Sequence, residues 1–168
     1  MTQADWLHIG KIGGLFCLAA GGWLMFLLRL WPRIFLRHFP EDVRATVPPL
    51  SARERRLGML VALPFFVMLL AFPVWAAVGV AANHAGGASF VDSFLAAFAA
   101  WMMFNLFDWW VLDEFCIGVL RPRWLVLRGA EHIPMRFDHR EHAVGFLKGT
   151  IGGSVIAAVT AGVLLFIK

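Results

Sequence analysis

The sequence has little charge and little cysteine. Asp, Glu, Lys and Arg supply 15% of its 168 residues and 60% are hydrophobic, whereas a soluble domain has about 25% charged and about 45–50% apolar residues. Lipid is therefore the expected solvent for much of the chain. The two cysteines, Cys17 and Cys116, are too few for a disulfide framework and lack zinc-finger spacing. No repeat or low-complexity tract is evident.

Motifs of several enzyme and cofactor classes are also missing. The chain contains no G-x-S-x-G and no H-E-x-x-H, so neither a serine nucleophile elbow nor a zincin site is indicated. None of its histidines falls within the apolar runs; His8 and His84 lie on one side and the other histidines on the opposite side. A bis-histidine haem would have no ligands in the membrane, so we expect no haem, and no cofactor is predicted.

Four long apolar runs are present instead, at residues 12–28, 57–82, 93–112 and 149–167, and Asp108 is the only charged residue in them. About 20 helical residues cross a hydrocarbon layer of about 30 Å, and a backbone in lipid must satisfy its own hydrogen bonds. The sequence therefore predicts an all-α, polytopic protein with one membrane domain, 1–168. The predicted spans are about 10–29, 55–82, 93–119 and 143–167, joined by loops that include 30–54 and 120–142.

Basic residues are concentrated in the first and third connections, and the second connection has none. Loops rich in Lys and Arg stay in the cytoplasm, so we predict a multi-pass protein of the bacterial inner membrane, N-out and C-out, with both basic loops inside. Only Lys11 and Lys168 lie elsewhere. The remaining basic residues are Arg29, Arg33, Arg37, Arg44, Arg53, Arg55, Arg56, Arg121, Arg123, Arg128, Arg136, Arg140 and Lys148. The leader, residues 1–9, holds Asp5 and no basic residue, so we expect a retained span rather than a cleaved signal peptide.

Three arginines at four-residue spacing open the first loop. Arg29, Arg33 and Arg37, with apolar residues between them, suit a segment in the headgroup layer that contacts anionic lipids. The alternative is a cytoplasmic extension of the first helix whose arginines snorkel. Ser51-Ala-Arg-Glu54 then predicts a capping box that begins the second long helix.

Small residues form a ladder on the last helix, at Gly145, Gly149, Gly153, Ala157 and Ala161. Such a ladder allows another helix backbone to approach closely in lipid. A shorter version, Gly13, Cys17 and Gly21, lies on the first helix. We therefore expect the first and last helices to pack tightly together, within one chain or between chains.

Asn105 and Asp108 form the polar pair within the third span. They lie three residues apart and share a helix face, and an aspartate in hydrocarbon should face protein or water because lipid exposure is costly. One hypothesis is a proton- or cation-binding carboxylate on a transport path. The other is a hydrogen bond between helices, made with Asn105 or a Ser or Thr of a neighbour. On an α-helix, Asp113 and Glu114 turn away from this face.

Lys148 lies inside the last span, at a depth that matches Asp113 and Glu114. A rise of about 1.5 Å per residue makes an interfacial pair between Lys148 and either carboxylate plausible, with snorkelling of Lys148 as the alternative.

Histidines and carboxylates also cluster in the third connection. His132, His139 and His142, with Glu114 or Asp113, form a candidate site for a divalent metal. An alternative role exists for part of this cluster, because Asp138-His-Arg-Glu141 has the pattern of a capping box for the last helix.

The stretch Phe104-Asn-Leu-Phe-Asp-Trp-Trp-Val-Leu-Asp113, followed by a basic loop and His142-Ala-Val-Gly-Phe-Leu-Lys-Gly149, resembles small uncharacterised four-span bacterial membrane proteins. The resemblance covers residues 101–150 and implies only that these polar positions form one site. We expect a transporter, channel-like component or accessory subunit, in a homo-oligomer or a larger complex, with no nucleic-acid partner. The alternative is a membrane-embedded, metal-dependent enzyme with its site on the cytoplasmic side.

Overall fold

The computed structural model describes residues 1–134 and 137–167, and these residues are helical with no strand. Arg136, one of the basic residues of the third connection, and Lys168 lie outside the described residues. The α-helices are α1 (Gln3–Leu30), α2 (Glu41–Thr46), α3 (Ala52–Ala82), α4 (Phe90–Phe107) and α5 (His139–Phe166). α4 continues directly into a π-helix, Asp108–Val119.

Four of these helices are long and apolar enough to cross a membrane, which confirms the predicted all-α class and the number of spans. They contain 28, 31, 30 and 28 residues, counting the π-helix with α4, and at about 1.5 Å per residue each exceeds a hydrocarbon layer of about 30 Å. The helices extend beyond the apolar runs because polar caps define their starts. Ser51 and Glu54 form the predicted reciprocal capping box of α3, and the Asp138 carboxylate accepts hydrogen bonds from the backbone N–H groups of Arg140 and Glu141.

α4 lies at the centre of the bundle, between α1 and α5. On one face, Trp101 and Asn105 occupy the space beside Gly153 and Gly149 of α5. The opposite face of α4 carries Met103 and Phe107, which occupy the space beside Gly13 and Gly21 of α1. Within the chain, the small-residue ladders of α1 and α5 therefore pack against α4 and not against each other. This corrects the expectation for a single chain, while packing of α1 against α5 between chains stays a prediction. Of the predicted ladder, Gly153, Ala157 and Ala161 are buried, Gly149 is partly buried and Gly145 is exposed.

Stacked aromatic rings close the middle of the bundle. The ring of Phe16 on α1 stacks on Phe72 of α3, with centroids 5.0 Å apart, and on Phe104 of α4 at 4.5 Å. Towards the helix ends near the chain termini, a second group of buried residues includes Ile9, Ala76 and Ala97. The centre of a single chain is therefore filled by apolar side chains.

The first and third connections meet at the end of the bundle where α1 ends and α3 and α5 begin, here called the basic end. The first connection is folded, with a 3₁₀-helix, Pro32–His38, followed by α2. Its buried side chains form a small apolar cluster with the third connection. The cluster contains Leu36, Val43, Val47, Leu127 and Ala130.

This folding separates the three arginines of the predicted stripe. Arg29 belongs to α1 and its guanidinium lies 5.9 Å from the centre of the Trp124 ring. Arg33 lies in the 3₁₀-helix, pairs with Glu54 at 2.9 Å and donates to the carbonyl oxygen of Pro48, while Arg37 is exposed. A 3₁₀-helix has about three residues per turn, so four-residue spacing does not keep the arginines on one line.

Candidate functional site at the basic end of α4 and α5

Asn105 is buried and joins α4 to α5. Its Nδ2 donates to the carbonyl oxygen of Phe146, at 3.0 Å, and to Oγ1 of Thr150, at 3.1 Å. The side chain reaches the α5 backbone because Gly149 has no side chain at the crossing. One turn away, Nε1 of Trp101 donates to the carbonyl oxygen of Gly149 at 2.9 Å. Asn105 is thus part of the helix packing.

Replacing Asn105 with alanine should lower the free energy of unfolding by about 1 kcal/mol, because both hydrogen bonds to α5 are lost in a setting where water cannot replace them. Thermal unfolding in mild detergent measures this effect. Ser154→Ala is the control, since the Ser154 hydroxyl donates only to the Thr150 carbonyl oxygen of its own helix. Equal losses in the two variants would contradict a bridging role for Asn105.

Asp108 differs from Asn105 although the two are three residues apart. Asp108 is partly exposed and stands at the junction between α4 and the π-helix. Its carboxylate makes no hydrogen bond or ion pair with the residues the structure describes. It is close enough to Asp113 and His142 to interact electrostatically with both. An aspartate without a partner among the described residues therefore lies inside a helix that is long and apolar enough to cross a membrane.

The π-helix explains why Asp113 comes near Asp108. Hydrogen bonds from i to i+5 widen the helix, so residues five apart come towards the same side, whereas α-helical winding would turn Asp113 away. Asp113 is oriented towards the start of α5, where its Oδ2 lies 2.6 Å from Nδ1 of His142. The neighbouring Glu114 lies 2.7 Å from Nδ1 of His139. π-Helical winding is rare, and its usual form, a single-turn bulge within an α-helix, is frequent at functional sites.

Lys148 takes no part in these pairs. It is exposed, and within residues 1–134 and 137–167 it makes no ion pair. Asp113 and Glu114 pair instead with His142 and His139, which lie in the first turn of α5, six and nine residues before Lys148. The suggested interfacial pair is thus replaced by two histidine–carboxylate pairs.

Two further residues complete the site, and sequence reasoning did not select either one. The Phe137 ring stacks on His142, with centroids 4.4 Å apart and planes 10° apart, and meets the edge of His139 at 4.8 Å. His38, in the first connection, lies near Asp113 and His142. Desolvation by the surrounding chain and the charge of the adjacent Arg37 lower the pKa of His38. Phe137 holds both α5 imidazoles in place, while His38 is a third titratable ring beside them.

The candidate metal ligands do not converge. Among the described residues, no group of three or more His, Cys, Asp or Glu side chains is arranged to hold a metal ion. His139 and His142 belong to separate pairs, with Glu114 and Asp113, and His132 is exposed in the third connection. Each of the two α5 imidazoles is thus held by one carboxylate of the π-helix.

A second polar cluster lies at the opposite end of the bundle. Asp5 has no solvent exposure and accepts hydrogen bonds from the backbone N–H of Thr2, Nδ2 of Asn83 and, at 3.0 Å, Nε2 of His84. The pattern Thr2-x-x-Asp5 could have identified the capping box that begins α1. Nothing local in the sequence indicates the contacts to residues 83 and 84.

The two polar clusters thus differ in kind. Asp5 is fully engaged by donors, whereas Asp108 is unpaired beside two histidine–carboxylate pairs. Comparison of the chain with protein-family models, with curated proteins and with solved structures finds no match.

Proposed function

We propose that the chain is a multi-pass protein of the bacterial inner membrane whose basic end faces the cytoplasm and whose termini face outward. The support is electrostatic. Arginines crowd the two connections that meet at the basic end, and the turn between α3 and α4 contains no Lys or Arg. Basic loops are retained in the cytoplasm.

We propose that a proton or a small cation exchanges at Asp108, so that the protein is a transporter, a channel-like component or an accessory subunit. The observation that carries this proposal is the unpaired carboxylate of Asp108 inside a membrane-spanning helix, beside the Asp113–His142 pair. Ionisable groups in spans are functional candidates by default. His142 is partly exposed at the basic end and is bonded to Asp113. The proposed path runs from water to this pair and then to Asp108, and its last step needs a bridging water because no hydrogen bond joins Asp108 to the described residues.

The closed centre of the bundle favours function within an assembly. The stacked rings of Phe16, Phe72 and Phe104 fill the middle of the contact between α1, α3 and α4 with apolar side chains. A route that crosses the membrane would need the surface of another subunit. We therefore propose a homo-oligomer or a larger membrane complex, with Asp108 near the contact between chains.

Asp108→Asn should slow proton movement strongly while leaving the fold intact, because the amide is similar in size but does not ionise at neutral pH. The test places the purified protein in vesicles with an enclosed pH-sensitive dye and imposes a pH gradient. The wild type should dissipate the gradient, and the variant should be slower by roughly 10²-fold, the scale of a positioned acid–base group.

Asp42→Asn, in the exposed part of α2, is the matched control and should behave as the wild type. Repeating the assay with a sodium or potassium gradient at constant pH distinguishes a proton from a cation. Wild-type vesicles that hold every gradient as well as protein-free vesicles would overturn the proposal, and so would equal rates for the wild type and Asp108→Asn.

A further inference from the structure

One exposed face of α3 combines a single cation with an apolar hollow. Arg56, Met59, Leu60 and Leu63 line an open hollow on the surface of this helix. Their spacing of three, four and seven residues places them on one side of the helix. Met59, Leu60 and Leu63 are 68%, 64% and 57% exposed, so the rest of the described chain leaves them largely uncovered.

The length of α3 indicates how deep in the membrane this face lies. From Arg56 to Ala82 the helix extends about 39 Å at about 1.5 Å per residue, which exceeds a hydrocarbon layer of about 30 Å and approaches the width that includes the headgroups. Arg56 therefore lies at headgroup level when the opposite end of α3 reaches the other interface. Met59, Leu60 and Leu63 then line the first about 10 Å of hydrocarbon below it.

Arg56 has no counterion among the residues that the structure describes. The nearest acidic residue along α3, Glu54, pairs with Arg33 and accepts from the backbone N–H of Ser51. Arg55 donates to the carbonyl oxygen of Leu50. Arg56 makes no hydrogen bond or ion pair with the part of the chain that the structure describes. A free guanidinium is thus presented above an open apolar groove.

We propose that this face of α3 binds one anionic phospholipid, with its phosphate on Arg56 and an acyl chain along Met59, Leu60 and Leu63. A guanidinium presents paired N–H donors that match phosphate oxygens, and the apolar residues below it match an acyl chain. The proposal is independent of the exchange proposed at Asp108. It also assigns specific lipid contact to a residue outside the Arg29, Arg33 and Arg37 set.

The test reconstitutes the full chain in vesicles of equal parts phosphatidylcholine and phosphatidylglycerol, extracts it in mild detergent and weighs it by native mass spectrometry. The wild type should retain one phosphatidylglycerol in preference to phosphatidylcholine. Arg56→Gln should lower the retained fraction about fivefold, the effect of one basic residue near a charged membrane surface. Arg56→Lys should keep part of the binding because it keeps the charge but loses the paired donors.

Two more variants distinguish a specific lipid-binding site from general electrostatic attraction between basic residues and anionic lipid. Arg44→Gln removes the same charge from exposed α2 at the same end and should retain lipid as the wild type does. Leu63→Trp keeps Arg56 but fills the hollow, and it should also lose the lipid. Because all of these side chains are exposed, unfolding temperatures should stay close to the wild-type value.

Three results would overturn the proposal. Equal retention of the two lipids would show that no anionic headgroup is selected. Equal losses in Arg44→Gln and Arg56→Gln would show a general charge effect. A second copy of the chain that covers this face in place of lipid, detected as a dimer lost in Leu63→Trp, would assign the hollow to protein contact.

Discussion

Replacing Gly153 with leucine should separate α5 from α4 and lower the free energy of unfolding by about 3 kcal/mol. A Cβ at this position would overlap the indole of Trp101, including its Cδ1, Nε1 and Cγ atoms. Trp101 cannot move away easily, since it is buried and its Nε1 is bonded to the Gly149 carbonyl oxygen. The apparent unfolding temperature in detergent should fall by roughly 6–12 °C.

The adjacent glycine gives a matched control for this substitution. A Cβ on Gly152 would meet no atom within 4 Å, so Gly152→Leu should leave stability unchanged or raise it slightly, because leucine favours helix over glycine. A double variant, Gly153→Leu with Trp101→Ala, should recover part of the loss by removing the overlapping ring. Equal losses at positions 152 and 153, or no recovery in the double variant, would contradict close packing of α5 on Trp101.

Within one chain, the sequence correctly predicts that a helix packs closely on the small residues of α5, but it does not predict which helix this is. Gly149 and Gly153 indicate that some helix approaches α5, since small residues permit close contact with any backbone. The partner is decided by the large side chains that enter the space beside them, and Trp101 and Asn105 lie together on one face of α4. Apolar runs, in contrast, are sufficient to predict the four spans, because hydrophobic length alone determines them.

The candidate site shows where helical periodicity stops being informative. Asn105 and Asp108 lie in or at the end of regular α-helix, and their common face follows from the spacing of three residues. Beyond Asp108 the chain winds as a π-helix, and no apolar period marks that change. The sequence groups Asp113 or Glu114 with His139 and His142 only as candidate metal ligands. The two separate pairs that they form could not be derived, and the predicted pairing with Lys148 rests on depth alone.

Removing the Asp5 carboxylate should destabilise the protein more than Asn105→Ala does. Asp5 has no solvent exposure. Its carboxylate accepts hydrogen bonds from the backbone N–H of Thr2 at 2.6 Å, from Nδ2 of Asn83 at 3.2 Å and from Nε2 of His84 at 3.0 Å. In Asp5→Ala these donors lose their acceptor in a buried setting, which is far more costly than losing an exposed contact. The start of α1 and the end of α3 also lose the link that holds them together.

Comparing Asp5→Asn with Asp5→Ala distinguishes the effect of losing the charge from the effect of losing the whole side chain. The amide keeps the size of the carboxylate but offers one acceptor oxygen instead of two, and its NH₂ group would face the donors, so an intermediate loss is expected. Hydrogen exchange should accelerate at both Thr2 and residues 83–84 in Asp5→Ala, because the two segments are released together. Glu41→Ala, in exposed α2, removes the same type of charge and should change neither quantity. If Asp5→Ala unfolds at the same temperature as Glu41→Ala, the carboxylate does not join α1 to α3, and the capping box alone explains the start of α1.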